Sequence, residues 1–392
     1  LWTAHYVLGI AAASVVLYCT HELPAVDALL LAASAMTNSG LSPVAMRRIS
    51  SLGFAVLAVL MLLGSPVAML VLALCVRRRR FLCVQREVRA YHAQHAPRLS
   101  PQDKAVVAQH EAFAQAQALL LRVLLRYCAG WLLLGALLVW AALRAQPLPP
   151  ELAERGFSRF QHAAFLALSA FTTTGLALTS DSLVSLAHLP QAYLPLSLLV
   201  MAGNVASPIF LRLLVQLHVK VDAWLARWDP RRNRRRDVKQ YRRALHFVLT
   251  HPRKLTTHLF DPAQTFYLGL MLLLFIVLQY VFFLASTLNR QEARAAHSVR
   301  QLLGIGFFQT LGTRTSGFTM LDLRVLSQGL LLVYVVMMYL SVFPLVTSIH
   351  SSQANQQRPA AGTAAAATSA AEPQEEVAAV ANACFDDRLL RA

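Results

Sequence analysis

Long and short apolar runs alternate along the chain, and their lengths predict their roles. Six runs reach the roughly 20 apolar residues that an α-helix needs to cross a bilayer. Between the two spans of each consecutive pair lies a shorter run, of the roughly 10–14 residues typical of half-helices that enter the membrane and return. The long runs are 2–19, 52–76, 123–143, 193–218, 265–285 and 326–349, and the short runs are 26–36, 160–171 and 299–311.

The order of span, half-helix, polar turn and span therefore occurs three times. We predict an all-α polytopic membrane protein built from repeated span–pore-loop–span units. Residues 1–104 form the first predicted unit, 105–258 the second and 259–350 the third, and the first two each include a basic loop. Residues 351–392 are rich in Ala, Ser and Gln, so we predict a disordered linker or tail there.

Composition and charge agree with a membrane protein. Hydrophobic residues make up 56% of the chain and charged residues 14%, which leaves too little polar surface for a soluble enzyme of this size. Much of the net charge of +17 lies after the second and fourth long runs, and the positive-inside rule makes these basic loops cytoplasmic. Each half-helix then enters from the outside. Topology accounts for the basic loops, so we expect the lipid bilayer and no nucleic acid as a partner.

The three polar turns align on a single glycine. We call them the first, second and third glycine turns; they are Ser34-Ala-Met-Thr-Asn-Ser-Gly-Leu41, Ser169-Ala-Phe-Thr-Thr-Thr-Gly-Leu176 and Gly312-Thr-Arg-Thr-Ser-Gly-Phe318. Their glycines recur at intervals of roughly 140 residues, which indicates an internal duplication. For one turn alone, a glycine that ends a buried helix is the simpler account. Three copies at matching positions between spans favour a pore.

Glycine suits a cation pore because its backbone can turn successive carbonyl oxygens toward a dehydrated cation. Small polar neighbours can brace that backbone or add oxygen atoms to the lining. Each half-helix also directs its electronegative C-terminal end toward the membrane centre, which favours a cation over an anion. The predicted filter residues, with K+ or Na+ bound transiently at the glycines, are Thr37, Asn38, Ser39, Gly40, Thr173, Thr174, Gly175, Thr315, Ser316 and Gly317.

The long run after each glycine turn contains a proline, in Gly64-Ser-Pro66, Ala206-Ser-Pro208 and Val342-Phe-Pro344. Proline removes a backbone donor and bends a helix, so we predict a shared kink below the filter. Carbonyl groups freed by such a kink could face water or a gate. Pro66, Pro208 and Pro344 are therefore gating candidates.

These residues together resemble the Trk/Ktr/HKT superfamily of potassium and sodium transporters, over nearly all of residues 1–350. The first two glycine turns carry the resemblance with Gly203-Asn204, Pro208 and Phe210-Leu-Arg212, and the most specific match is Thr313-Arg-Thr-Ser-Gly-Phe318. The resemblance implies four units around one pore, a filter with a glycine from each unit, and a homodimer. It makes Asn204 a further bracing or gating candidate. Glycine rather than serine at Gly40 implies potassium permeability.

Three of the four units that the resemblance implies are recognisable in residues 1–350. A ring with one quadrant missing would leave backbone open to lipid, so we expect a downstream segment or a second chain to supply the fourth unit. We favour a truncated chain over a second polypeptide. The expected location is the plasma membrane, as a multi-pass protein.

Arg314, in the third glycine turn, would repel cations if its guanidinium lined the pore. We therefore predict that it points away from the pore and braces the loop. Asp322 and Asp181 are candidate partners for this side chain. Asp181 has two other interpretations, as a residue that enriches cations at the outer mouth or as a solvated loop acid.

We expect a transporter and not an enzyme, because the predicted spans contain no acidic residue for intramembrane catalysis. The five cysteines lie far apart with no C-x-x-C pair, which favours neither a zinc site nor a disulfide framework. Without a nucleotide-binding P-loop, we expect the membrane potential to drive transport, and no cofactor besides the transported K+ or Na+. Two alternatives stay open: a non-conducting or partial subunit of such a transporter, and a gated cation channel of another pore-loop family.

Overall fold

The computed structural model of the protein describes residues 2–346 apart from 22, 45, 47–48, 95–100, 145–146, 148, 155, 180–181, 230–235, 257, 289–297, 322–325 and 341–345. Within this described part the chain forms helices joined by turns, with no β-strand. The predicted all-α fold class is thus confirmed. The helices are α1 (Trp2–His21), α2 (Ala25–Thr37), α3 (Ser51–Gly64), α4 (Pro66–Gln94), α5 (Pro101–Leu143), α6 (Pro150–Ala153), α7 (Arg159–Thr172), α8 (Pro190–Gly203), α9 (Ser207–Trp228), α10 (Arg236–Thr250), α11 (Pro252–Leu255), α12 (Pro262–Thr287), α13 (Val299–Thr315) and α14 (Gln328–Leu340), with a 3-10 turn at Val184–Leu186.

Three of these helices are long and apolar enough to cross a membrane: α1, α5 and α12. Two further spans are bent pairs, α3 with α4 and α8 with α9, whose axes turn by 63° and 90°. The second and fourth predicted spans are therefore broken, where a continuous helix was expected with only a kink. The sixth predicted span is described as α14, through Leu340, and Pro344 lies outside the described residues.

Large apolar side chains point away from the protein along the long helices. Leu133 on α5 is 66% exposed and Phe266 on α12 is 74% exposed. Contiguous apolar surface of this kind is unfavourable in water and favourable in lipid. This surface agrees with the three long helices as membrane spans.

The break between α3 and α4, which we call the first break, follows from its own sequence. Gly64 ends α3, and Ser65 caps α4, because its hydroxyl accepts a hydrogen bond from the Ala68 N–H at 3.2 Å. Pro66 then occupies the first position of α4. Proline suits that position because its missing N–H would have no partner within the helix. One helix thus stops and the next starts within a single residue.

The break between α8 and α9, which we call the second break, is longer and comprises residues 204–206. Pro208 is the second residue of α9, again within the first turn, where proline removes no intrahelical hydrogen bond. Neither proline therefore lies inside a helix that it has to distort. The bend results from ending one helix and starting another.

Three short helices, α2, α7 and α13, occupy the positions of the predicted half-helices. Two of them start in the same way, with a serine and a glutamine that exchange hydrogen bonds in a capping box. The pairs are Ser158 with Gln161 in α7 and Ser298 with Gln301 in α13. The starting points of these two half-helices could thus be read from local sequence.

The chain divides into two compact units, of which the first contains all three glycine turns. This first unit comprises Leu1–Val71, Val123–His218 and His258–Val346. Its core includes four fully buried aromatic rings, from Phe171, Phe283, Phe308 and Phe318. These side chains come from α7, α12, α13 and the third glycine turn, so the same core packs around two of the three turns.

The second compact unit includes Leu72–Arg122 and Val219–Thr257. In it the ring of Phe113 lies 4.9 Å from Phe81 and 6.0 Å from Phe247, centroid to centroid, and the guanidinium of Arg242 pairs with Asp222 at 2.5 Å. This division follows contacts and does not test the division into repeated units of residues 1–104, 105–258 and 259–350, which stays a prediction.

Candidate functional site

The first two half-helices end in the same conformation. The residues that follow α2 and α7, Asn38 and Thr173, are left-handed, with φ of 53° and 58°. One residue later the Ser39 N–H donates to the carbonyl of Ser34 at 3.0 Å, and the Thr174 N–H donates to the carbonyl of Ser169 at 3.0 Å. This bond pattern is the Schellman motif, which ends a helix sharply.

The glycines come next, and each has a positive φ: 74° at Gly40, 83° at Gly175 and 66° at Gly317. In the first two turns the sign of φ alternates over three residues, because Ser39 and Thr174 are outside the positive region. Alternation of this kind turns successive carbonyl oxygens toward one side of the strand, which is how backbone binds a dehydrated cation. A residue with a Cβ would be strained at the glycine positions.

The third glycine turn differs from the other two in the position at which its half-helix ends. Helix α13 continues through Thr315, one residue nearer to the glycine than α2 or α7 reaches. Ser316 has φ of −103° and donates its N–H to the carbonyl of Gly312 at 2.9 Å. Thr315, predicted as a filter residue, is therefore the last helical residue, and Gly317 alone supplies the positive φ in this turn.

The three turns lie against one another. A Cβ added to Gly40 would overlap the carbonyl oxygen of Thr174, and one added to Gly175 would overlap the carbonyl oxygen of Ser316. A Cβ on Gly317 would lie 3.8 Å from the Thr174 oxygen. The first turn thus contacts the second and the second contacts the third, although their glycines are far apart in sequence.

Polar side chains of the second turn brace the backbone. The Thr174 hydroxyl donates to the Asn38 side-chain oxygen of the first turn at 2.7 Å and lies 2.8 Å from the hydroxyl of Thr172. The Asn204 side-chain amide, from the second break, donates to the Thr173 hydroxyl at 3.3 Å. These side chains therefore bond to one another and hold the backbone of the second turn in place.

In the first turn the side chains bond locally. The Thr37 hydroxyl donates to the carbonyl of Ala33 at 2.8 Å, and the Ser39 hydroxyl donates to the Ser34 hydroxyl at 3.2 Å. Asn38 is the exception, because it accepts the hydrogen bond from Thr174. The side-chain hydrogen bond between the first two turns is therefore made by one residue of each turn, Asn38 and Thr174.

Two buried glutamines brace the third turn, and the sequence prediction missed both. Gln279, in the middle of α12, donates its side-chain amide to the Thr313 hydroxyl at 2.6 Å. Gln309, in α13, accepts at its side-chain oxygen from the Met320 N–H at 3.1 Å. Both side chains are fully buried. A glutamine within an apolar span was the available signal, since polar side chains in spans bond between helices.

The contacts of two glycines at the helix breaks were not predicted from the sequence either. A Cβ on Gly64 would overlap the carbonyl oxygen of Met36 in α2, and a Cβ on Gly203 would overlap the carbonyl oxygen of Phe171 in α7. Met36 and Phe171 occupy the same position in their half-helices, one residue before the end. The structure therefore shows that Gly64 corresponds to Gly203. Matching the prolines in the sequence had instead paired Gly64 with Ala206.

Several predicted residues lie wholly or partly outside the described part. Arg314 is in α13, but its side chain is not among those described, and Asp322, Asp181 and Pro344 are not described. Whether Arg314 braces a loop stays a prediction. Pro66 and Pro208 lie in the first turns of α4 and α9, and their gating role stays a prediction too.

Among the described residues, no group of three or more His, Cys, Asp or Glu side chains could hold a metal ion. The oxygen atoms gathered at the glycine turns are backbone carbonyls and hydroxyls. Neutral oxygens of this kind suit a weakly hydrated monovalent cation that must bind and leave quickly. Broken spans, half-helices and glycine turns together are typical of a polytopic α-helical membrane protein.

Comparison with models of protein families identifies the family to which the chain belongs. The model of the TrkH family, described as cation transport proteins, matches residues 19–358, and the chain belongs to this family. The suspected resemblance is thereby confirmed. The expectation of an integral membrane protein that is not an enzyme is confirmed with it, because members of this family are cation transport proteins.

The curated relatives are potassium transport proteins. The low-affinity potassium transport protein of Saccharomyces cerevisiae is 30% identical over 247 residues, which cover 62% of this chain and 26% of the relative. The high-affinity potassium transport protein of the same yeast is 28% identical over 242 residues, 61% of this chain and 18% of the relative. Potassium transport protein 2 of Schizosaccharomyces pombe is 29% identical over 240 residues, which cover 60% of this chain and 25% of the relative. The matched region thus spans about a quarter or less of each relative.

Proposed function

We propose that the protein conducts monovalent cations, potassium in the first place, through a filter formed by the three glycine turns and a fourth unit. The observation that carries the proposal is the mutual contact of the turns. Gly40 lies against the Thr174 carbonyl and Gly175 against the Ser316 carbonyl. Turns distant in sequence thus lie in direct backbone contact, as a filter built from several turns around one ion requires.

The electrostatics favour a cation. Each half-helix ends at its glycine turn, so the negative end of its dipole faces the place where the turns meet. The membrane potential supplies the driving force, worth about 2.3 kcal/mol per charge and 100 mV. No covalent chemistry is needed, and the ion exchanges its water shell for carbonyl oxygens in passing.

Potassium is proposed as the preferred ion for two reasons. The relatives described above are named as potassium transport proteins. In addition, the first turn has Gly40, the residue that goes with potassium permeability in the resemblance stated above. Sodium is the competing ion, and selectivity between the two is the quantity to measure.

We further propose the plasma membrane as the location, and a fourth unit supplied by a downstream segment or another chain. A homodimer is the proposed assembly. Fluorescence localisation of the tagged chain tests the first proposal, and mass measurement of the detergent-solubilised protein tests the last.

The test of the filter compares two glycines that share a positive φ. Gly175 has φ of 83° and lies against Ser316, whereas Gly156, between α6 and α7, has φ of 71° and open space around it. Both Gly175→Ala and Gly156→Ala strain the backbone, but only the first changes a predicted filter turn. Rubidium uptake is measured in yeast cells that lack their own potassium uptake.

The chain is expressed as given and with a fourth span–half-helix–span unit appended. We expect uptake in at least one format, a loss of at least about tenfold with Gly175→Ala, and little change with Gly156→Ala, since one misplaced oxygen ligand is worth a factor of this order. Membrane insertion without uptake in either format would contradict the proposal and favour a non-conducting subunit. Equal loss in both variants would show that strain, not the filter, explains the effect.

A further inference from the structure

The second break is attached to the second glycine turn at two points. Gly203 lies against the carbonyl of Phe171, near the end of α7. Asn204 donates from its side-chain amide to the Thr173 hydroxyl at 3.3 Å. Thr173 is the left-handed residue that ends α7 and begins the turn, with φ of 58°. The break of an inner span thus contacts the turn at the place where its backbone leaves the helix.

The backbone of Asn204 is bonded in the opposite direction, to the start of α9. Its carbonyl oxygen accepts from the Ser207 N–H at 3.0 Å and from the Ser207 hydroxyl at 2.7 Å. Ser207 is the first residue of α9. One residue therefore binds the start of α9 through its main chain and the glycine turn through its side chain.

A change at Thr173 reaches the ion-facing backbone within one residue. Thr174 follows it, and the Thr174 carbonyl lies against Gly40 of the first turn. The Thr174 hydroxyl also donates to Asn38. A shift of Thr173 would therefore move oxygen atoms in two turns at once.

The second break is the place where the chain changes direction between α8 and α9. The axes of α8 and α9 meet at 90°, and residues 204–206 between them have no helical hydrogen-bond ladder of their own. Helix-terminal residues of this kind absorb large changes of φ and ψ in hinge motions. The conformation of Asn204, with φ of −136° and ψ of −102°, lies outside the helical region.

We propose that Asn204 is a positioning residue that couples the direction of α9 to the conformation of the second glycine turn, so that movement of this inner span changes the selectivity between potassium and sodium. The inference rests on the proposed function, because it assigns the second turn to the filter. It adds the part of the chain that controls that filter and the bond through which control is exerted.

The test measures the ratio of rubidium to sodium uptake in the transporting format. Asn204→Ala and Thr173→Val each remove one partner of the bond, and Thr173→Ser keeps the hydroxyl. Val205→Ala changes the same break at a half-buried side chain and is the matched control. We expect Asn204→Ala and Thr173→Val each to lower the ratio about fivefold, the factor that one hydrogen bond of ordinary net strength is worth. Val205→Ala should keep the wild-type ratio, and Thr173→Ser should lower the ratio less than Thr173→Val does because it retains the hydroxyl that accepts from Asn204.

The double variant Asn204→Ala with Thr173→Val distinguishes coupling from independent damage. If the two side chains act through their mutual bond, the double variant lowers the ratio no further than either single variant. Independent, multiplying effects would overturn the proposal. So would a wild-type ratio in Asn204→Ala with only a lower maximal rate, because that result indicates a structural role. Elution as a single species in gel filtration checks that each variant is folded.

A second readout needs ion binding but not conduction. Potassium is expected to raise the melting temperature of the purified wild-type chain more than sodium does, since it stabilises the state that binds it. Asn204→Ala should reduce the difference between the two ions, and Val205→Ala should not. Loss of uptake in Gly175→Ala with an unchanged ratio in Asn204→Ala would refute the coupling alone. Absence of both uptake and ion-dependent melting in the wild type would refute the proposed function and the coupling with it.

Discussion

The first and second breaks make the same kind of backbone contact with a half-helix, but their polar side chains bond to different partners. In each, a glycine ends the helix and lies against the carbonyl of the next-to-last residue of a half-helix. Ser65 of the first break then bonds within its own span, to the carbonyl of Leu62 at 2.8 Å and the N–H of Ala68 at 3.2 Å. Asn204 of the second break bonds to Thr173, in the second glycine turn.

The comparison distinguishes two features. The glycine contact is shared by both breaks and is a requirement of the fold, whereas the side-chain bond to a turn is a feature of one break. Close approach of an inner span to its half-helix occurs in both repeats, so it belongs to the architecture. A side-chain bond from the break to the turn is found at the second break alone of these two. The first break is therefore self-contained, whereas the second is connected to a glycine turn by a side-chain hydrogen bond.

The largest expected effect tests the shared contact. Gly64→Ala and Gly203→Ala place a methyl group against a backbone carbonyl, which cannot move aside as a side chain can. Each should lower the free energy of unfolding by about 3 kcal/mol, measured by denaturant titration in detergent. Gly130→Ala, in α5 with nothing within 4 Å, is the control and should change stability little. If Gly203→Ala resembled the control, the proposed equivalence of the breaks would be wrong.

The next effect compares the matching residues Thr174 and Ser39. Thr174→Val removes hydrogen bonds to Asn38 and Thr172 and should cost about 2 kcal/mol, since each bond contributes about 1 kcal/mol. Ser39→Ala removes only local bonds, to Ser34 at 3.2 Å and from Thr37 at 3.4 Å, and should cost about half as much because these bonds are longer and less buried. Denaturant titration gives the two costs, and rubidium against sodium uptake shows whether the turns stay aligned. Equal changes in both variants would contradict the asymmetry between the turns.

A third prediction concerns a backbone carbonyl at the end of α8, next to the second break, that accepts a hydrogen bond from another helix. The Tyr127 hydroxyl, from α5, donates to the carbonyl of Ala202 in the last turn of α8 at 2.6 Å. Tyr127→Phe leaves this buried carbonyl without that donor and should cost about 1.5 kcal/mol. Thermal unfolding of the purified protein measures the cost. A neutral result would mean that another group bonds to the carbonyl in the variant.

The smallest effect on transport is expected at the first break. Ser65→Ala removes the cap of α4 and should cost about 1 kcal/mol of stability. The ratio of rubidium to sodium uptake should stay at its wild-type value, because Ser65 bonds within its own span. A ratio changed as strongly as in Asn204→Ala would show that both breaks control the filter, and the contrast between them would fail.

Local sequence was sufficient for the elements of the fold. Run length and hydropathy predicted spans and half-helices, since a helix must bury its backbone bonds within its own segment in lipid. The glycines at 40, 175 and 317 were found because glycine is the residue that adopts a positive φ at the least cost. Membership of the cation transport family followed from the same turns and is confirmed by the family match.

Local sequence was insufficient where the partner lies elsewhere in the chain. No periodicity indicates that Gly64 meets Met36, that Gln279 bonds to Thr313, or that α13 continues through Thr315. Asn204 was recognisable as a bracing or gating candidate by resemblance, but its bond to Thr173 depends on how α8 packs against α7.

The sequence by itself determined which segments form apolar helices and half-helices, where each half-helix ends in a glycine turn, and which family the chain belongs to. These properties depend on the length and residue types of a single segment. The tertiary structure alone decided which turns are neighbours, which carbonyls meet which glycines, and which break bonds to a turn. Those properties depend on packing between segments that are tens to hundreds of residues apart, and the free energy of such contacts is set by shape and by the few polar groups that find partners in a buried site.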